Sequence, residues 1–343
     1  MKTLPIQPGK KSMISRSHLV FYVFSAVAFL FCFYYFSEIR SDFQQLERVK
    51  AGWLVVAIAA QVFTYLFAAF IYHVLLRAFR VKPLPGTVDL VEASVIFLFF
   101  NQAVPSVGVS GNTFFFHFLI KRKIPPGQAI SFMATELFIF YATMVVVTWL
   151  LLVVCSFLKM PAYFLAVLAA GVAIHLLLAV VIFLLGRKRS LNFVYRKIKK
   201  LGLFKKTMRN FRQKTEQSNS GRTGRLLVFL KKNKPVVLNV FLLQVMVLAA
   251  DGFTLVALFY GLGVPVSVFA VGLGFICTRV ISTLPIAPGS LILYESSMTF
   301  FLVRLGVAVG PAVVVTLLYR LLSFWLPMPV GLFLYRKWLK KTG

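Results

Sequence analysis

The sequence predicts an all-α integral membrane protein, with six full transmembrane helices and two re-entrant, Pro/Gly-broken hairpins in an inverted repeat. Three observations lead there. The composition is 59% hydrophobic and only 14% charged, with a mean hydropathy of +0.86, far from that of a soluble globular domain. Most of the chain falls into apolar runs near the roughly 20 residues that a helix needs to cross a bilayer. The formal charge of +29 gathers in clusters between those runs, the pattern of loops kept on the cytoplasmic side. In a soluble protein that charge would suggest nucleic acid. No reading module accompanies it here, so nucleic acid is not an expected partner.

The elements follow in order. A basic lead (Lys10, Lys11, Arg16) precedes an apolar run ending at Phe36, with no small-residue cleavage pattern after it. This is a retained first span, 17–36, rather than a signal peptide. A loop of balanced charge (Glu38, Arg40, Asp42, Glu47, Arg48, Lys50) leads to span two, 53–76, and Arg77, Arg80 and Lys82 mark a cytoplasmic return. Residues 88–120 are apolar but interrupted by NQAVPSVGVSGN at 101–112, with Lys121, Arg122 and Lys123 immediately after. Basic residues at both ends and a break in the middle predict a hairpin that enters and leaves from the cytoplasmic side. Spans three and four are 128–157 and 163–185.

The one long polar stretch, 187–234, has Glu216 as its single acid. Leu191, Val194, Ile198, Leu201, Phe204, Met208 and Phe211 recur in it at helical spacing between basic residues. It predicts an amphipathic helix on the inner leaflet, drawn to anionic headgroups, or a solvated loop that only fixes topology. SNSGRTG (218–224) reads as a linker. Span five is 236–260. Ser267 to Val303 forms a second hairpin around Pro285, Pro288 and Gly289, entering from outside, and span six is 311–334. The chain thus divides into a membrane half at 1–186, a basic segment at 187–234 and a second half at 235–343. Both termini are cytoplasmic. Eight full spans is the alternative count.

Four acids stand in apolar surroundings, Glu92, Glu136, Asp251 and Glu295, with Arg279 and Arg320 as the matching bases. Ionisable groups at such depth are costly and tend to be functional, although buried pairs that only fix helix packing are the competing explanation. Arg279 lies six residues before Pro285 and Glu295 seven after Pro288, so the hairpin arms should carry them to similar depth. Each break also starts a helix near mid-membrane, one at Ser110–Asn112 and one at Gly289–Ser290, where free N–H groups favour an anion such as a lipid phosphate. Asn101, Gln102 and Asn112 suit a headgroup or the loop backbone. His175 reads as structural. Cys32, Cys155 and Cys277 are isolated in apolar runs and show neither metal spacing nor a disulfide framework. No P-loop, GxGxxG or nucleophile elbow is present, so neither a cofactor nor soluble-type catalysis is expected.

The run P-I-A-P-G-S-L-I-L-Y-E (285–295), followed by L-G-V (305–307), Ala312 and Arg320, resembles the lysylphosphatidylglycerol synthase transmembrane-region family. The usual form there is P-x-x-P-G-G-x-G-x-x-E with a downstream Arg. Pro105, Gly108, Gly111 and Glu136 are similar to that family's first motif. Ser290, Ile292 and Ser110 stand where glycines are usual. The resemblance implies a membrane domain that moves lipid between leaflets, as the best understood members do with aminoacylated phosphatidylglycerol. It implies no synthase activity, since the sequence stops at Gly343 without the cytosolic transferase domain. The resemblance and the intramembrane residues together give an expected lipid site of Glu295, Arg320, Arg279, Glu136, Asp251, Pro288, Gly289, Ser290, Pro105, Gly108, Ser110, Gly111 and Asn112, in a bacterial-type plasma membrane. The alternatives are a polyprenyl-dependent transferase, for which Glu38, Asp42 and Glu47 are the candidate acids, and a proton- or ion-coupled solute transporter.

Overall fold

The computed structural model describes residues 49–81, 83–103, 109–185, 225–283 and 291–342. The expected first span (17–36), the amphipathic stretch (191–211), the linker (218–224), and Pro105, Gly108, Pro285, Pro288, Gly289 and Ser290 lie outside them. The described residues are helical, as their composition requires. Backbone groups in hydrocarbon have no water to bond, and a helix satisfies them within one segment. In chain order the helices are α1 (Ala51–Ala78), α2 (Thr87–Ala103), α3 (Val109–Lys121), α4 (Pro126–Phe157), α5 (Ala162–Leu185) and α6 (Arg225–Lys232). Then come α7 (Lys234–Gly261), α8 (Val268–Ser282), α9 (Leu291–Arg304), α10 (Val309–Arg320), a π turn (Leu321–Trp325) and α11 (Pro327–Thr342). Five stretches are long and apolar enough to cross a membrane: α1, α4, α5, α7 and the run from α10 through α11. They match expected spans two to six within a few residues, the last extending beyond 334 to Lys341.

Five of these helices stop by the same device. The N–H after the stop reaches back five residues, as in Val81 to Leu76, Ile124 to Leu119 and Met160 to Cys155. Val264 to Phe259 and Val307 to Leu302 repeat it. The intervening residue takes positive φ: Arg80, Lys123, Lys159, Gly263 and Gly306. An apolar side chain folds back after each.

The helices' directions follow from their contacts. Lys50 N–H bonds Gly261 O, and Trp53 packs on Tyr260, so α1 starts where α7 ends and the two run antiparallel. Asp89 at the start of α2 meets Arg122 after α3 and Lys341 at the end of α11. Phe79 stacks on Phe229 of α6. One end of the bundle therefore holds Arg77, Arg80, Arg122, Lys231, Lys232, Lys337 and Lys341, among others, and is called the basic end below. The far end has Lys50, Lys159 and Arg304.

Helices α2 and α3 pack as a hairpin open to the basic end, and α8 and α9 as a hairpin open to the far end. Their arms of 17, 13, 15 and 14 residues reach only about 20–25 Å, against a hydrocarbon thickness of about 30 Å. The pattern of neighbours repeats between halves. Helix α1 packs on α2 and α4 as α7 packs on α8 and α10, and α3 on α4 as α9 on α10. Helices α1 and α7 both have 28 residues, and each carries a glutamine ten positions after its first residue, Gln61 and Gln244.

Candidate functional site

Depth can be counted along the helices at 1.5 Å per residue. Asp251 is ten residues from the far end of α7, Arg279 eleven from the start of α8, Glu295 nine from the end of α9 and Arg320 eleven from the start of α10. All four side chains thus originate about 14–17 Å from the far end, near mid-bilayer. The expectation that Arg279 and Glu295 share a depth holds.

The pairings cross between elements. Asp251 is buried on α7, where Arg279 of α8 forms an ion pair with Oδ2. Its Oδ1 accepts from Gln61 Nε2 of α1 at 2.9 Å and from Tyr319 OH of α10 at 2.7 Å. Gln61 also donates to Thr254 Oγ1 at 3.0 Å. Glu295 of α9 accepts from Arg320 Nε of α10 at 2.6 Å. Arg320 lies over Tyr294 and Phe324, 4.7 and 4.3 Å from the ring centres, a setting that favours a desolvated guanidinium. Tyr319 and Arg320 are consecutive, so α10 sends one side chain to each pair, and the stacked rings of Tyr294 and Tyr319, 6.0 Å apart, join the two. The result is one polar layer built from α1, α7, α8, α9 and α10.

The two pairs balance charge, but not every polar atom is used. Arg279 Nε, Arg320 Nη2 and Glu295 Oε2 are buried without a hydrogen-bond partner among the described residues. Each such group costs about 1–3 kcal/mol. These two guanidinium donors and one carboxylate acceptor, with the hydroxyl of Tyr294 also buried without a partner among the described residues, can meet the phosphate of a lipid and a polar or cationic part of its headgroup.

The first half holds different chemistry. Glu136 of α4 accepts from Gln244 Nε2 of α7 at 3.4 Å and does not join the layer around Arg320. Glu92 pairs with Lys337, whose side chain is 57% exposed. Only five residues from the start of α2, Glu92 belongs to the basic end and is not an intramembrane acid of the layer. At the tip of the α2–α3 hairpin, Ser110 Oγ donates to Phe100 O, and Asn101 Oδ1 accepts from Gly111 N–H at 2.9 Å. A Cβ on Gly111 would fall 2.6 Å from Phe97 O, so this glycine serves the close packing of the two arms. Ser110 and Asn112 begin α3 eleven and nine residues before its end at Lys121, near mid-depth.

The same hairpin reaches the second half. Pro327 has no N–H for the carbonyl four residues back, Ser323, and the chain widens there into the π turn. Gln102 Nε2 donates to Ser323 O at 3.1 Å, filling that vacancy. The first break is thereby tied to the turn directly after Arg320. His175 bonds Gly171 O within α5 and Thr283 at the end of α8, in keeping with the structural role expected of it.

Gln61, Gln244, Thr254, Tyr294 and Tyr319 were not anticipated as site residues. A search for polar as well as ionisable side chains inside apolar runs finds both glutamines, in AIAAQVF and FLLQVMV. Tyr319 is signalled only by its position beside Arg320.

Neither a curated protein nor a solved structure matches the chain. The family described as lysylphosphatidylglycerol synthase TM region matches residues 18–331 of the 343. With nearly the whole length covered and both breaks within the match, the chain belongs to the lysylphosphatidylglycerol synthase transmembrane-region family.

Proposed function

We propose that this protein is a lipid translocator, moving a phospholipid or a lipid-linked headgroup between leaflets through the layer around Arg320. The observation that carries this reading is the meeting of Asp251, Arg279, Glu295 and Arg320, from four helices, at mid-depth beside two broken hairpins. Packing alone needs fewer charges, since each costs on the order of 3 kcal/mol at a helix centre on insertion scales. The free donors of Arg279 and Arg320 would take the phosphate. Glu295 would release Arg320 to the lipid and meet a cationic or hydroxyl group of the head. Pro288, Gly289 and Ser290, with Pro105, Gly108, Ser110, Gly111 and Asn112, would line the path from the two breaks. Glu136 with Gln244 would give a second contact on the first half.

Two halves with hairpins open to opposite ends suit alternating access about a central site, with 1–186 and 235–343 as the moving parts. By the distribution of Lys and Arg, the basic end would face the cytoplasm of a bacterial-type plasma membrane. Both termini and the 187–234 segment would lie on that side, the segment against anionic headgroups.

The test is leaflet exchange of labelled phospholipids in proteoliposomes, with anionic, cationic and polyprenyl-phosphate lipids in the panel. Wild type should exchange at least one class, and Glu295→Gln and Arg320→Gln should each lose it. Full exchange in both variants would overturn the assignment, as would a wild type inactive toward every lipid.

A further inference from the structure

At the basic end, α1 finishes in a cleft that the translocation layer does not include. His73 and Arg77 follow at i and i+4 on one face of α1, Arg80 comes just past its end, and with Val81 and Leu84 they line an open cleft of about 390 Å³. Arg80 also lines a second cleft of about 220 Å³ beside Val228, Phe229 and Lys232 of α6 and the α6–α7 junction. We propose that this end of α1 is a binding site for an anionic glycerophospholipid of the adjoining leaflet, separate from the central layer and independent of what that layer transports.

Three observations carry it. Arg122, Lys337 and Lys341 at the same end have acids, Asp89 and Glu92, to pair with, whereas neither Arg77 nor Arg80 forms an ion pair among the described residues. Two guanidiniums without acids, lining one cleft, suit a phosphate monoanion. His73 Nδ1 is buried with no hydrogen-bond partner in the described residues. It lies four residues, about 6 Å, deeper than Arg77 along α1. That is the step from a lipid's phosphate to its glycerol esters, where an Nδ1–H would donate to an ester carbonyl. The remaining lining, Val81 and Leu84 in one cleft and Val228 and Phe229 in the other, suits acyl chain. A free phosphate would satisfy the arginines and leave both His73 and the apolar walls without a role. Basic pockets between helices on the cytoplasmic side are a recurrent way to hold such headgroups.

The test is native mass spectrometry of the full chain from mixed micelles with equal phosphatidylglycerol and phosphatidylcholine, with inorganic phosphate added in a parallel arm. Wild type should retain phosphatidylglycerol preferentially. Arg77→Gln with Arg80→Gln should weaken that preference on the order of thirtyfold. His73→Phe should weaken it less, and phosphate should not compete. Arg336→Gln with Lys340→Gln removes the same charge from the same end and should change little. Circular dichroism melts confirm that each variant is folded. Equal losses in the two double variants would mean diffuse charge rather than a built site. An undiminished preference in Arg77→Gln/Arg80→Gln would also overturn the proposal, and displacement by phosphate would reassign the cleft to a soluble anion.

Discussion

The ion pair between Asp251 and Arg279 can be tested by a double-mutant cycle. Asp251 is 3% exposed and its carboxylate takes three donors, from Arg279, Gln61 and Tyr319. Removing one member of a buried pair leaves the other charge uncompensated, at about 3–5 kcal/mol. A third of the Arg279 side chain remains exposed, so the lower end of that range applies, about 3 kcal/mol for Arg279→Gln. Asp251→Asn should cost a similar amount while keeping an acceptor for Tyr319. Asp251→Ala also strands Gln61 and Tyr319 and should cost about 1–3 kcal/mol more. The double variant Asp251→Asn/Arg279→Gln should cost less than the sum of its singles by at least about 2 kcal/mol. Equilibrium unfolding in mixed detergent micelles measures all four corners. A coupling below about 0.5 kcal/mol, the range of non-interacting sites, would refute the pairing and the polar layer built on it.

Other consequences are as direct. Arg320→Lys keeps the charge but loses the Nε–H held by Glu295 and the planar contact with Tyr294 and Phe324; lipid exchange should fall by more than about tenfold, and a rate near wild type would count against a specific guanidinium role. Gly111→Ala should destabilise by about 1–3 kcal/mol, because its Cβ would meet Phe97 O and Asn101. Gly272→Ala, with open space around the added carbon, should be neutral or stabilising by up to about 1 kcal/mol in the same melts. Gln102→Leu should cost about 1–3 kcal/mol by stranding Ser323 O. In a Pro327→Ala background a backbone N–H becomes available, and the same change should cost little; equal penalties in both backgrounds would show that proline does not create the vacancy.

The spans were legible because apolar length acts locally. A run such as Val236 to Tyr260 has no competing fold in hydrocarbon, and the boundaries of α7 differ from it by one or two residues. The common depth of Arg279 and Glu295 was legible for the same reason, since helical rise converts sequence distance into depth. Which acid meets which arginine was not. That depends on α10 packing against both α7 and α9, a tertiary fact with no local signal, so Arg279 turns to Asp251 and Glu295 to Arg320. Glu136 was grouped with the others on character alone, and its partner, Gln244, is neutral and invisible to a scan for charge. Glu92 was misplaced because its apolar neighbours in sequence belong to α2, while its partner Lys337 comes from α11.

The five helix stops have a consequence for how the chain enters a membrane. A side chain at positive φ costs about 1–2 kcal/mol relative to glycine, and at the basic end both such positions, Arg80 and Lys123, accept that cost. At the far end, two of the three, Gly263 and Gly306, do not. With the basic end on the cytoplasmic side, as proposed, the residue that ends α1 or α3 is also one that resists translocation during insertion. Substituting glycine there would then relax the folded backbone while weakening the signal that keeps that loop from crossing. For α1 and α3, local ease of folding and correct sidedness of insertion therefore pull in opposite directions at a single side chain.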